Sequence, residues 1–128
     1  MSRRDAREIA FKLIFEYTFN NDEKREVIEE YVADLSKDDA SYVNEVYFGV
    51  ISHYDELVEK ISDNAQNFAF DRIYKVDLAL LLLSLYEITY MSGIPYKVSV
   101  DEALNLAKKY STEKSSKYIN GILAKFSR

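Results

Sequence analysis

A chain of 128 residues, 48% hydrophobic and 30% charged, has the make-up of one ordinary globular domain large enough to bury its own core. With no cysteine, disulfides and thiolate metal sites are excluded, and three glycines with one proline are too few for the turns of a sheet protein, so the expected class is all-α. The net charge of −5 argues against a nucleic-acid binder only until it is resolved along the chain. Residues 1–17 hold four basic and three acidic groups (+1), residues 97–128 seven and three (+4), and residues 18–96 six and sixteen (−10). Fields fall off within a Debye length of ~8–10 Å, so if the two ends meet in space they form one basic face on an acidic body.

No apolar run follows Met1-Ser2-Arg3-Arg4-Asp5, and Leu78–Leu83 falls far short of the ~20 residues of a membrane span. Neither a signal peptide nor a membrane anchor is expected, and the cytoplasm is the expected location.

The first helix is predicted from Arg3 to Phe19, with Ala6, Ile9, Ala10, Leu13 and Tyr17 recurring on one face. A second stripe, Arg4, Arg7, Phe11 and Phe15, spans roughly 80° elsewhere on the helix, basic at its start and aromatic at its end. Its arginines, with Arg3 beside them, suit phosphates and stacked bases, next to the N–H groups of a helix start. Phe11 stays between two readings, core or contact, and Phe15 suits a protein contact. Asn20-Asn21-Asp22 stops the helix, and Asp22 is a candidate N-cap for a short amphipathic helix from Glu23 to Leu35.

A long third helix is expected after Asp38-Asp39. Its seam, Val43, Tyr47, Val50, Tyr54, Leu57 and Ile61, alternates steps of 4 and 3 until Asp63-Asn64. His53, the only histidine, lies mid-helix there as an edge residue. Residues 64–72 form a connection whose Phe68 and Phe70 plug a helix junction. From Ile73 to Tyr90 the chain is apolar nearly all round, the mark of a helix buried at the centre of a bundle. Glu87 within it is expected to pair with a neighbour or a helix end. Ser92-Gly93-Ile94-Pro95 ends that helix, with Gly93 as C-cap. Ser99 and Glu102 fit a capping box opening the next helix, which turns Val100, Ala103, Leu104, Ala107 and Tyr110 inward. Ser111-Thr112 breaks it, and a last helix from Glu113 to Ser127 buries Ile119, Ile122, Leu123 and Phe126.

That last helix repeats the basic–aromatic arrangement. Lys114, Tyr118, Gly121 and Lys125 share a stripe beside the core face, and Tyr118 with Lys117 suits base stacking next to a phosphate contact. A solvated lysine face with a tyrosine at the core edge is the alternative. Gly121 costs about 1 kcal/mol inside a helix, which points to close approach by another backbone or by RNA. One histidine, no cysteine, no P-loop and no G-x-G-x-x-G leave catalysis without its usual parts, so neither an enzyme nor a cofactor is expected.

Four stretches resemble the NusB family. Val76-Asp77-Leu78-Ala79 through Leu85-Tyr86-Glu87-Ile88 is similar to that family's central helix, and it leads into Ile94-Pro95-Tyr96-Lys97-Val98 and the run to Lys108-Lys109-Tyr110, close to the family's most distinctive stretch. Ser116-Lys117-Tyr118-Ile119-Asn120-Gly121-Ile122-Leu123 resembles its final helix, and Arg3-Arg4-Asp5-Ala6-Arg7-Glu8-Ile9-Ala10 its arginine-rich start. The resemblance spans nearly the whole chain, with 20–70 matching only in length and helical character. It implies an all-α fold of about six or seven helices round a central buried one. It also implies a non-catalytic antitermination factor that binds boxA RNA of ribosomal RNA transcripts with the ribosomal protein NusE, and joins other Nus factors on RNA polymerase. Carried over by position, Arg4, Arg7, Lys117 and Tyr118 fall at RNA-contacting places, and Phe15 and Asp77 at places facing NusE. Tyr118 stands where phenylalanine is frequent, which preserves stacking, and Phe15 where tyrosine is frequent, which removes a hydroxyl. Two other readings stay open. One is the RNA-targeting domain of an rRNA cytosine methyltransferase, though no cofactor motif accompanies it. The other is a protein-binding scaffold, a homodimer when free, paired through Phe11 and Phe15.

Overall fold

The computed structural model describes residues 2–65 and 74–127. Among them are seven α-helices and no strand: α1 (Arg3–Asn20), α2 (Ile28–Tyr31), α3 (Lys37–Ser52), α4 (Tyr54–Asn64), α5 (Lys75–Tyr90), α6 (Tyr96–Tyr110) and α7 (Glu113–Leu123), closed by a 3₁₀ turn, Ala124–Phe126. The expected class holds, and so does the central helix. Every residue of α5 from Asp77 to Ile88 is buried, and α1, α3, α4, α6 and α7 all pack on it. A helix covered from every side needs apolar side chains all round, which Leu78–Leu83 and Leu85 supply.

Four local expectations are corrected. The long third helix is two helices, because at His53 (φ −110°, ψ 20°) the chain turns and α4 starts afresh. The seam runs on through the break, burying Val43, Tyr47, Val50, Leu57 and Ile61, so periodicity alone could not reveal it. The helix over 23–35 shrinks to the single turn α2, where only Ile28 is buried and no side chain caps the start; a turn this short cannot offset its nucleation cost. The preceding turn is fixed instead from the core, by the Lys24 amide donating to the Tyr47 hydroxyl at 2.7 Å. At the start of α6 the helix begins at Tyr96 with Pro95 before it, so Ser99 lies inside the helix. The proposed capping partners go elsewhere: Ser99 donates to Glu87 and Glu102 accepts from Arg4. Gly93 has no left-handed backbone and Met91 caps α5 instead. The connection bearing Phe68 and Phe70 lies outside the described residues.

Three helix starts are capped by side chains. Ser2 and Asp5 form a reciprocal capping box at α1, Ser36 accepts the Asp39 amide at α3, and Thr112 accepts the Ser115 amide at α7. No helix among the described residues is long and apolar enough to cross a membrane.

Candidate nucleic-acid interface

The three arginines of α1 sit at three depths. Arg4 is 69% exposed along its side chain and pairs with Glu102 of α6 at 3.0 Å. Arg3 is about half as exposed; its guanidinium bonds Asp39 at 2.8 Å and lies 4.5 Å over the Tyr42 ring. That ion pair holds the Asp39 carboxyl below its ordinary range. Arg7 is buried. Its guanidinium grips Glu87 of α5 with bonds of 3.0 and 3.2 Å, and its side chain is only 7% exposed. Burial opposes the charge on Arg7, yet the hydrogen bonds and charge of Glu87 outweigh it and the net shift is upward. The stripe read as one basic surface is therefore split. Arg3 and Arg4 face outward, while Arg7 belongs to the core and offers a phosphate almost no surface. The cause is a partner 80 residues away that helix periodicity could not supply.

The aromatic half of the stripe divides as well. Phe11 is 3% exposed, which settles it as core and removes it from any contact surface. It packs 5.2 Å from the Tyr110 ring and 6.2 Å from Phe15. Phe15 is half-buried and meets Phe19 edge-on at 5.0 Å, and Phe19 is 60% exposed. The Lys75 ammonium lies 5.9 Å from that ring and donates to the Thr18 carbonyl at 3.0 Å. Exposed Tyr74 adjoins Lys75. Phe19 and Lys75 thus adjoin Phe15, and neither was singled out in the sequence. The signal for Phe19 was there, since it lies four residues beyond Phe15 on the same stripe.

On α7, Lys114 and Lys117 are exposed, and Tyr118 is half-buried against the core edge. Among the described residues no carboxylate pairs with either lysine. Gly121 is exposed, and a Cβ built on it meets nothing within 4 Å, so among the described residues no backbone requires its smallness. The first and last helices do not pack along each other, and α6 makes side-chain bonds to both. Its Glu102 holds Arg4, its Lys109 bonds Glu8 at 2.9 Å, and its Tyr96 hydroxyl donates to the Leu123 carbonyl of α7 at 2.8 Å. Side-chain bonds thus tie α6 to both end helices, but Arg7 meets α5 at Glu87, near its end, and Ser115 of α7 meets it at Asp77, near its start; α6 adds the exposed Lys108.

Asp77 is the other surprise. It is 3% exposed, and its two carboxylate oxygens accept from the Ser111 hydroxyl at 2.7 Å and the Ser115 hydroxyl at 2.8 Å. A side chain expected on a partner-facing surface is an internal tie between α5 and the α6–α7 junction. His53, expected mid-helix, sits at the α3–α4 break with its ring stacked 4.2 Å from Tyr90.

A family model described as the NusB family matches residues 4–128. The chain belongs to the NusB family. It is 41% identical to the transcription antitermination protein NusB of Finegoldia magna over 125 residues, covering 96% of this chain and 91% of that one. It is 43% identical to the same-named protein of Natranaerobius thermophilus, covering 96% and 92%. The fold matches the solved T. maritima NusB with a TM-score of 0.90 at 30% identity, over 99% of this chain and 91% of that one. It also matches a NusB chain solved as antitermination factors NusB and NusE in complex with double-stranded RNA, TM-score 0.85 at 24% identity, covering 97% and 94%.

Proposed function

We propose that this chain is a non-catalytic, cytoplasmic RNA-binding factor in transcription antitermination. It binds boxA-type single-stranded RNA of ribosomal RNA transcripts together with the ribosomal protein NusE, and joins RNA polymerase and other Nus factors. The observation that carries the reading is the outer face of α7 in a NusB-family chain. There two exposed lysines, Lys114 and Lys117, flank a tyrosine ring at the core edge. Lysines supply the salt-dependent attraction to phosphates, and an aromatic ring supplies a stacking platform for an unpaired base. Arg3 and Arg4 on α1 supply two further cations at the surface. Both are ion-paired within the protein, so a phosphate must compete with a carboxylate for each.

The partner reading rests on a different surface. Phe15 and Phe19 present an aromatic edge at the end of α1, beside Lys75 and Tyr74, on a body whose middle segment carries −10. Such a surface suits a basic ribosomal protein. The NusB chain solved with NusE and double-stranded RNA is the support from relatives for an RNA and a NusE partner. The same aromatic edge, without Phe11, is where the free chain would pair with itself.

The test is binding of a boxA RNA oligonucleotide by the chain alone and with NusE, across a salt series. RNA binding that strengthens with NusE, weakens steeply with salt and falls on Lys117→Ala with Tyr118→Ala supports the reading. RNA binding indifferent to that double change overturns the α7 face.

A further inference from the structure

We infer that Asp77 is a positioning residue for the RNA face: its buried carboxylate holds the first turn of α7, and with it Lys114, Lys117 and Tyr118, in place. The inference rests on the α7 reading given above. It changes the role that resemblance alone gives Asp77, from an outward contact with the partner to an inward clamp.

The geometry is that of a closed polar knot. Ser111 ends α6, Thr112 caps α7, and Ser115 lies in the first turn of α7. The Ser111 hydroxyl lies within hydrogen-bond distance of both Asp77, at 2.7 Å, and the Ser115 hydroxyl, at 2.7 Å. Ser115 reaches the other Asp77 oxygen at 2.8 Å, its amide donates to the Thr112 hydroxyl at 3.2 Å, and its own hydroxyl lies 3.1 Å from that of Thr112. Both serine hydroxyls converge on one carboxylate that is 3% exposed. Asp77 stands in the first turn of α5, where the helix dipole favours a negative charge. The knot's reach to the RNA face shows at Tyr118, whose phenol is pushed up by burial and further by the Asp77 charge.

The two roles of Asp77 respond oppositely to its charge and its shape. A clamp needs two hydrogen-bonding atoms in the right place, which asparagine keeps, because a serine hydroxyl can accept from its amide. A contact to a basic partner needs the charge, which asparagine lacks. The experiment measures binding of a boxA RNA oligonucleotide, by anisotropy, to the isolated chain without any partner. The expected result is that Asp77→Ala and Ser115→Ala each weaken binding about threefold to tenfold, the scale of a missing hydrogen bond. Asp77→Asn stays within about twofold of the parent. Hydrogen exchange should quicken in the first turn of α7, and Leu57→Ala, which opens the core under α4, should lower the melting temperature without a matching loss of RNA affinity. If Asp77→Ala does not fold, Ser115→Ala carries the test. RNA binding unchanged in Asp77→Ala and Ser115→Ala, while Lys117→Ala weakens it, overturns the clamp and leaves the α7 face standing. RNA binding unchanged in Lys117→Ala overturns the α7 face itself. Loss in Asp77→Asn as large as in Asp77→Ala also overturns the clamp, because charge and not hydrogen bonding would then be what matters.

Discussion

The Arg7 guanidinium and the Glu87 carboxylate, 3.0 Å apart and both buried, join the first helix to the central one inside the core. The Tyr42 hydroxyl of α3 donates to one Glu87 oxygen, and the Ser99 hydroxyl of α6 donates to the other at 2.8 Å. Four helices therefore meet at one side chain whose oxygens are fully used. Burial of Tyr42 and the neighbouring Glu87 charge push its phenol far above the ordinary range, which favours its role as the donor.

Arg7→Ala should destabilise the fold by about 3–5 kcal/mol, because it leaves a carboxylate buried without its counter-charge. Glu87→Gln should cost a similar amount, since it leaves the buried Arg7 guanidinium without its counter-charge and keeps only one of the two acceptor oxygens. Urea denaturation gives both values. In a double-mutant cycle, Arg7→Met with Glu87→Gln should be far less costly than the two single costs combined. Strict additivity would mean that the pair is not coupled.

RNA binding should separate the cations by depth. Removing one cation from a phosphate lowers the slope of log affinity against log salt by about 0.7 for single strands. Lys117→Ala should show that drop. Arg7→Met, at a temperature where it is folded, should leave the slope alone, because its guanidinium is held in the core by Glu87. Tyr118→Ala should weaken binding by about 1–3 kcal/mol with no change of slope, as expected for stacking. A slope change for Arg7→Met would put that residue back at the interface.

The α1–α6 packing should loosen in acid. Glu8 accepts hydrogen bonds from the Tyr110 hydroxyl and the Lys109 ammonium, which together hold its carboxyl below the ordinary 4.5. A carboxylate whose pKa falls on folding stabilises the protein above its unfolded value, and the gain disappears as pH falls through the folded one. Glu8→Gln should therefore lower the urea midpoint at pH 7, and the gap to the parent should narrow as pH falls below 4.5. A gap independent of pH would show that the Glu8 charge contributes nothing.

Two helical glycines should respond in opposite directions to alanine. A Cβ on Gly49 would collide with the Tyr86 ring, which is buried beside His53 and Tyr90. Gly49→Ala should destabilise by about 1–3 kcal/mol, despite alanine's better helix propensity. Trimming Tyr86 to leucine should recover part of the loss. Gly121 has open space instead, so Gly121→Ala should stabilise the chain by up to about 1 kcal/mol. If RNA approaches Gly121 closely, the same change weakens RNA binding, and calorimetry with anisotropy on one sample reads both effects.

What the sequence determined by itself was whatever repeats along the chain or is written in a cap. The apolar run from Leu78 to Leu85 could only be a central helix, and the Ser111-Thr112 break and the exposed lysines of α7 needed no more than local chemistry. The hydrophobic period also carried the α3–α4 seam, but a period survives a one-residue turn, so the break at His53 was invisible in it. Only the tertiary structure decided the fate of the polar residues on half-buried faces. Arg7 and Arg4 are one turn apart on the same stripe, yet one meets Glu87 in the core and the other Glu102 at the surface. Asp77 and Ser99, placed by sequence on a surface and at a cap, are both interior because hydroxyl and carboxylate partners arrive from other helices. Helix spacing fixes which residues share a face, but whether that face meets water depends on the helices laid against it.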